Sequence, residues 1–177
     1  MDDGPEIEPL AKRLIRDIED YPKKGITFRD ITPLLKDPKI FGLCIEELAS
    51  KLKGRKIDYV VGIESRGFIV GAPLAQLLGV GFIPVRKKGK LPFKTVSKSY
   101  ELEYGTATIE LHADSIEHGK RVAIVDDLLA TGGTTHAAME LVRELGGMVD
   151  SCAFLIELTG LSGRKKLDSE VFSLIKY

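Results

Sequence analysis

VAIVDDLLATGGTT, residues 122–135, reads as an apolar strand ending in Asp126-Asp127, then a Thr/Gly turn, then the start of a helix. Continuous apolar strands belong to sheets covered on both faces. Ligands of such parallel sheets bind beyond the carboxyl ends of the strands. At that edge the turn offers the backbone N–H groups of Thr131, Gly132, Gly133 and Thr134, the positive end of a helix, and threonine hydroxyls. Two glycines let the backbone wrap a phosphate closely. The carboxylates of Asp126 and Asp127 repel a phosphate, but they accept hydrogen bonds from a sugar diol or help to hold a hydrated Mg²⁺. The pattern therefore implies a ligand with a phosphate at one end and vicinal hydroxyls at the other, a ribose 5-phosphate. A lone Gly-Gly would be an ordinary strand-to-helix turn with a capping threonine; an acid pair, an apolar strand and ATGGTT together say more. Two other phosphate motifs fail. No lysine follows Gly133, as a P-loop requires, and Gly79-Val80-Gly81 runs into Pro84 where a dinucleotide motif would carry its third glycine.

Outward from this stretch, strands and helices alternate. Apolar runs at 57–63, 80–85, 149–157 and 171–175 read as further strands. Helices are expected from about 67 to 78, stopped by Gly79, and from about 134 to 145, stopped by Gly146-Gly147. Asp37-Pro38 is an N-cap followed by proline at the first helical position. Phe41, Cys44, Ile45, Leu48 and Leu52 form the stripe of that helix, which Gly54 closes. Ile7, Leu10, Leu14, Ile15 and Ile18 predict a first helix ended by Tyr21-Pro22. Strand–helix repetition of this kind gives an α/β fold, an open and mainly parallel twisted sheet with helices on both faces. Residues 99–111 alternate instead, which suits an antiparallel pair. The polar, basic stretch 86–98 before it has the composition of a functional or mobile connection.

Composition narrows the classes further. Lys and Arg number 26, Asp and Glu 26, so no global field draws in nucleic acid or an anionic membrane. With 44% hydrophobic residues the chain can build a core without disulfide or metal, and at roughly 150 residues per domain one domain, 1–177, is expected. The acidic N-terminus lacks the features of an export signal, which fits a cytoplasmic protein with Cys44 and Cys152 as reduced core thiols. The uncharged run 67–85 reaches the ~18-residue length of a membrane span, but its glycines and prolines split it into helix and strand. His112, His118 and His136 show no metal-ligand spacing.

Residues 125–135 closely resemble the 5-phosphoribosyl diphosphate (PRPP) signature of the type I phosphoribosyltransferases. From about 7 to 177 the sequence is similar to the adenine-specific branch of that family, in GITFRDITPLLKDP (25–38), GIESRGF (62–68), RKKGKLP (86–92), SYELEYG (99–105), VDDLLATGGTT (125–135) and IELTGL (156–161). The resemblance implies a small hood at about 1–36, a core at about 37–177 and a mobile antiparallel loop at about 86–106. It implies joining of adenine to PRPP to give AMP and pyrophosphate, with Mg²⁺, in a homodimer.

Site residues follow from the same resemblance. Asp126, Asp127, Ala130, Thr131, Gly132, Gly133 and Thr134 would hold the ribose phosphate, with Mg²⁺ carried mainly by PRPP and water near the acid pair. Glu64, Ser65 and Arg66, in a loop where the family often has a non-proline cis peptide, would hold pyrophosphate together with Arg86 and Lys90. Glu103 would handle the purine proton. Ile26, Phe28, Arg29 and Leu158 would enclose adenine. Relatives acting on 6-oxopurines carry an aspartate where this chain has Ala130, so adenine is the expected base. Two alternatives stand beside this one. A PRPP-sensing transcriptional regulator would need a DNA-binding segment before the core; the same chemistry on another base would need only a different pocket.

Overall fold

The computed structural model describes residues 6–101 and 105–177. In chain order the elements are α1 (Ile7–Lys12), β1 (Arg16–Ile18), β2 (Phe28–Asp30), α2 (Thr32–Lys36), α3 (Pro38–Leu52), β3 (Tyr59–Ile63), α4 (Arg66–Leu78), β4 (Gly81–Lys87), β5 (Thr95–Glu101), β6 (Thr106–His112), β7 (Arg121–Leu129), α5 (Gly133–Glu144), β8 (Met148–Glu157) and β9 (Glu170–Lys176), with 3₁₀ turns at Thr159–Leu161 and Gly163–Lys166 before the last strand. The large sheet has the order β5-β6-β4-β3-β7-β8-β9. Its β4-β3-β7-β8-β9 part is parallel; β6 joins β4 antiparallel and β5 joins β6 antiparallel. From β3 the chain crosses through α4 to β4 on one side, and from β7 through α5 to β8 on the other. The order of the sheet thus reverses between β3 and β7, and the crevice at their carboxyl ends is the natural ligand site of such a sheet.

Alternation along β7 explains why its sequence is apolar throughout. Ala123 and Val125 enter one core with α1, α3 and α4; Val122 and Ile124 enter a second core with α5. The expected caps are present. Asp37 accepts from the N–H groups of Lys39 (3.1 Å) and Ile40 (2.9 Å), and Gly79 ends α4 in the left-handed region at φ +69°. The uncharged run 67–85 is part of α4 followed by β4, and no described helix is long and apolar enough to cross a membrane.

Two expectations need correction. The first helix stops at Lys12 instead of reaching Ile18, because residues 16–18 pair antiparallel with 28–30 in a separate ribbon, Arg16 opposite Asp30 and Ile18 opposite Phe28. The connection expected over 86–98 is shorter: β4 runs to Lys87 and β5 begins at Thr95. Along β5 Val96, Lys98 and Tyr100 turn inward, and Lys98 Nζ lies 3.1 Å from Glu140 on α5, so a lysine occupies an inward position of the alternation.

Candidate active site

The loop after β3 is drawn hard against the end of β7. A Cβ added at Gly67 would lie 2.8 Å from the Val125 carbonyl oxygen and 2.9 Å from Asp126 Oδ1, so only glycine permits this approach. The Glu64–Ser65 peptide is cis, as the resemblance implied. Across the gap, Arg66 Nε sits 2.8 Å from Asp127 Oδ2 in an ion pair whose geometry is not that of a hydrogen bond; that buried oxygen has no hydrogen-bond partner. The Arg66 guanidinium also lies 5.2 Å from the centre of the Phe28 ring. Glu64, Ser65, Arg66, Lys87, Asp126 and Asp127 line a cleft of about 380 Å³.

The acid pair is held at an electrostatic disadvantage. Asp126 Oδ1 accepts from the Asp127 N–H at 2.8 Å. Even so, burial first, and the Asp127 charge second, raise Asp126 well above its ordinary pKa. Burial raises Asp127 as well, against the pull of Arg66. Glu64 goes the other way: burial would raise it, but the Lys87 N–H (3.0 Å) and Arg86 Nε (3.1 Å) on its Oε2 bring it below its ordinary value.

Beyond the acid pair the turn rises into α5. Gly132 sits at φ +79°, and among the described residues nothing accepts from the amides of Thr131, Gly132, Gly133 or Thr134. Residues 126 and 128–135 enclose a hollow of about 70 Å³. Thr134 Oγ1 donates to the Tyr100 hydroxyl at 3.0 Å, which ties β5 to this turn. Behind the turn stands Gly163: a Cβ there would lie 2.1 Å from the Ala130 carbonyl oxygen. The neighbouring Arg164 forks onto Glu157 at 3.0 and 2.5 Å.

Of the basic stretch, Arg86 reaches Glu64 and, at 3.3 Å, the Lys90 carbonyl, while Lys87 lines the cleft directly. Glu103 lies outside the described residues. Ile26, Arg29 and Leu158, three of the residues expected to enclose the base, share a separate cleft of about 640 Å³ with Thr159, Leu161 and Tyr177. Phe28 is not among its lining residues, because successive positions of β2 face opposite ways. Phe28 turns to Arg66 and, edge-on at 5.4 Å, to Tyr21. Arg29 lies 3.9 Å over the Tyr177 ring and pairs with Asp17, so its side chain fastens β2 to β1 and the chain end. Sequence reasoning counted Lys87 among the cations of the basic stretch but chose Arg86 and Lys90, and it gave no site role to Tyr100, Gly163 or Tyr177. Lys87 and Tyr100 lie within quoted motifs, but their part, like that of Gly163 and Tyr177, is made by contacts across the fold.

Comparison with known proteins agrees with this arrangement. A family model described as phosphoribosyl transferase domain matches residues 31–177. An adenine phosphoribosyltransferase of Thermoanaerobacter pseudethanolicus is 61% identical over 167 residues, covering 94% of this chain and 96% of that protein. Another, of Geobacter metallireducens, is 57% identical over 167 residues, covering 94% and 98%. The crystal structure of the T. pseudethanolicus enzyme matches with a TM-score of 0.93 at 60% identity, covering 96% of this chain and 99% of that one. That of the Saccharomyces cerevisiae enzyme, complexed with an imino-altritol bisphosphate and adenine, matches at 0.90 and 42% identity, covering 95% and 98%.

Proposed function

The chain belongs to the adenine phosphoribosyltransferases of the phosphoribosyl transferase family, and from that membership we propose how its own residues divide the reaction. The reaction transfers the 5-phosphoribosyl group of PRPP to adenine, giving AMP and pyrophosphate, a step of purine salvage. One observation carries the division: at the reversal point of the sheet, an acid pair, Asp127 buried and Asp126 half-buried, lies between a cationic loop and a turn with four free amides.

The amides of Thr131, Gly132, Gly133 and Thr134, with the Thr134 hydroxyl, take the 5-phosphate, and Ala130 leaves the turn uncrowded. Asp126 and Asp127 accept from the ribose diol. Arg66 leaves Asp127 for the pyrophosphate, which the Glu64–Ser65 loop, Arg86 and Lys90 also face. Ile26 and Leu158 offer adenine apolar faces in the cleft they share, and the main chain at Arg29 reads the purine edge; Phe28, turned to Arg66, stands outside that cleft. As N9 bonds to C1′, the C1′–O bond breaks and its electron pair leaves with pyrophosphate. The N9 proton passes to the Glu103 carboxylate. Positioning and charge neutralisation supply most of the acceleration.

Mg²⁺ fits this site as a partner of the substrate. Asp126 and Asp127, whose Oδ2 has no hydrogen-bond partner, are hard oxygen donors of the kind it takes. No group of three such ligands exists among the described residues, which favours a metal brought by PRPP and reached through water. When bound it neutralises part of the diphosphate charge. We also assign the chain to the cytoplasm as a homodimer. The exposed face of α4, with Ile69 and Leu77, carries no charge, which supports a subunit contact there. The deciding assay is AMP formation from adenine and PRPP with and without Mg²⁺, with hypoxanthine as competitor base. Adenine should react only with the metal, and hypoxanthine turned over as fast as adenine overturns the assignment.

A further inference from the structure

Glu110 is a buried carboxylate that the scheme above leaves unused. It is 4% exposed, in β6, opposite Arg86 of β4 and Ser97 of β5. A buried carboxylate is costly unless hydrogen bonds replace its water, and here they do. Its Oε1 accepts from three successive backbone amides, Gly89 at 3.0 Å, Lys90 at 3.1 Å and Leu91 at 3.1 Å, and Oε2 lies 3.5 Å from Thr95 Oγ1. Gly89, at φ +83°, lets those amides converge on one point.

The turn so gathered is Lys87-Lys88-Gly89-Lys90, three like charges that repel one another when left free. Its far side is held too: Arg86 bridges the Lys90 carbonyl (3.3 Å) and Glu64 (3.1 Å), and the Lys88 N–H donates to the Thr108 carbonyl at 3.0 Å. Glu64 and Lys87 both line the cleft beside Asp126 and Asp127. One carboxylate therefore grips the turn from the sheet side and another from the cleft side.

We propose that Glu110 is a positioning residue, which holds the lysine turn in place to receive the diphosphate of PRPP without touching it. The proposal rests on the assignment of that cleft to pyrophosphate. The test is steady-state kinetics on the full chain with adenine, PRPP and Mg²⁺. Glu110→Ala frees the Gly89 and Leu91 amides and leaves that of Lys90 only its 3.3 Å bond to the Lys87 carbonyl, and the KM for PRPP should rise about tenfold while the KM for adenine and kcat stay within about threefold. Glu110→Gln keeps a carbonyl acceptor of the same reach and should restore most of the loss. An unchanged KM for PRPP in Glu110→Ala, or equal losses for PRPP and adenine, overturns the role. Should Glu110→Ala fail to fold, Glu110→Asp decides. It keeps the charge but withdraws the oxygens by about 1.5 Å, so a rise confined to the PRPP KM supports positioning, and unchanged constants overturn it. A wild-type chain that forms no AMP overturns the cleft assignment beneath, and this role with it. Wild-type turnover beside an indifferent Glu110→Ala overturns this role alone.

Discussion

Replacing Gly163 by alanine tests whether the phosphate turn is held from behind. The new Cβ would stand 2.1 Å from the Ala130 carbonyl oxygen, and 3.0 Å from both the Ala130 carbonyl carbon and the Gly132 nitrogen. All three are backbone atoms, so no flexible side chain can swing aside, and relief requires a shift of about 1 Å. Gly163 itself cannot easily give. Its neighbour Arg164 forks onto Glu157 at 3.0 and 2.5 Å and donates to the Val171 carbonyl at 2.7 Å. The phosphate turn must therefore move. Overpacking of this kind costs about 1–3 kcal/mol, and each 1 kcal/mol lowers Tm by about 2–4 °C in a chain of this size. A 1 Å misplacement of a positioned group costs on the order of 10²-fold in rate. Gly163→Ala should thus stay folded at 25 °C, lose a few degrees of Tm, and lose about 10²-fold in kcat/KM for PRPP. Thermal melts and AMP-formation kinetics measure both. A Tm loss with unchanged kcat/KM for PRPP would refute the reasoning, because the turn would then have kept its shape without its backing.

Three further substitutions probe other parts of the molecule. Asp126→Asn removes a carboxyl whose pKa burial and the Asp127 charge raise in the folded state. A raised carboxyl makes the folded state bind more protons, so its effect on stability worsens as pH climbs from the ordinary carboxylate range through the raised value. The variant should melt higher than wild type at pH 7–8, converge with it near pH 4, and bind PRPP more weakly by calorimetry; superimposable Tm–pH curves would remove the argument. Glu103→Gln should lower kcat by about 10²-fold with PRPP affinity retained, and an unaltered kcat moves the purine proton to another group. Asp37→Ala removes the two cap hydrogen bonds of α3 and should cost about 1 kcal/mol, read as a Tm drop with kinetics unchanged.

What the sequence disclosed was local. Strand β7, its acid pair and its glycine turn are contiguous, so one stretch carried both the fold class and the proposed phosphate site. Helix α3 was legible because Asp37 and Pro38 specify its start through bonds to residues two and three positions on. The ribbon of β1 and β2 was not, because Ile15 and Ile18 satisfy a helical period and only pairing with residues ten or more positions away makes Arg16–Ile18 a strand. The same limit applies to Phe28 and Arg29. Adjacent in sequence and grouped in one expected pocket, they part to opposite faces of β2, one toward Arg66 and the other onto Tyr177.

The distribution of unmet polar groups locates the site without any motif. Elsewhere buried or half-buried carboxylates are well supplied: Glu157 by Arg164 and Ser173, Asp58 by the Arg121 N–H and Lys120, Glu110 by three amides. Two other buried side-chain atoms, His112 Nε2 and Ser151 Oγ, lack partners, but neither lines the cleft. Among the described residues, several shortfalls gather at the reversal of the sheet: Asp127 Oδ2 without a hydrogen bond, Asp126 raised by burial beside a like charge, four amides without acceptors. Folding tolerates such a cost where a ligand repays it. The ligand that satisfies every one must bring an anion for the amides and hydroxyl donors for the acids, and it must draw Arg66 from Asp127. A ribose carrying a phosphate at one end and a diphosphate at the other meets all three demands at once.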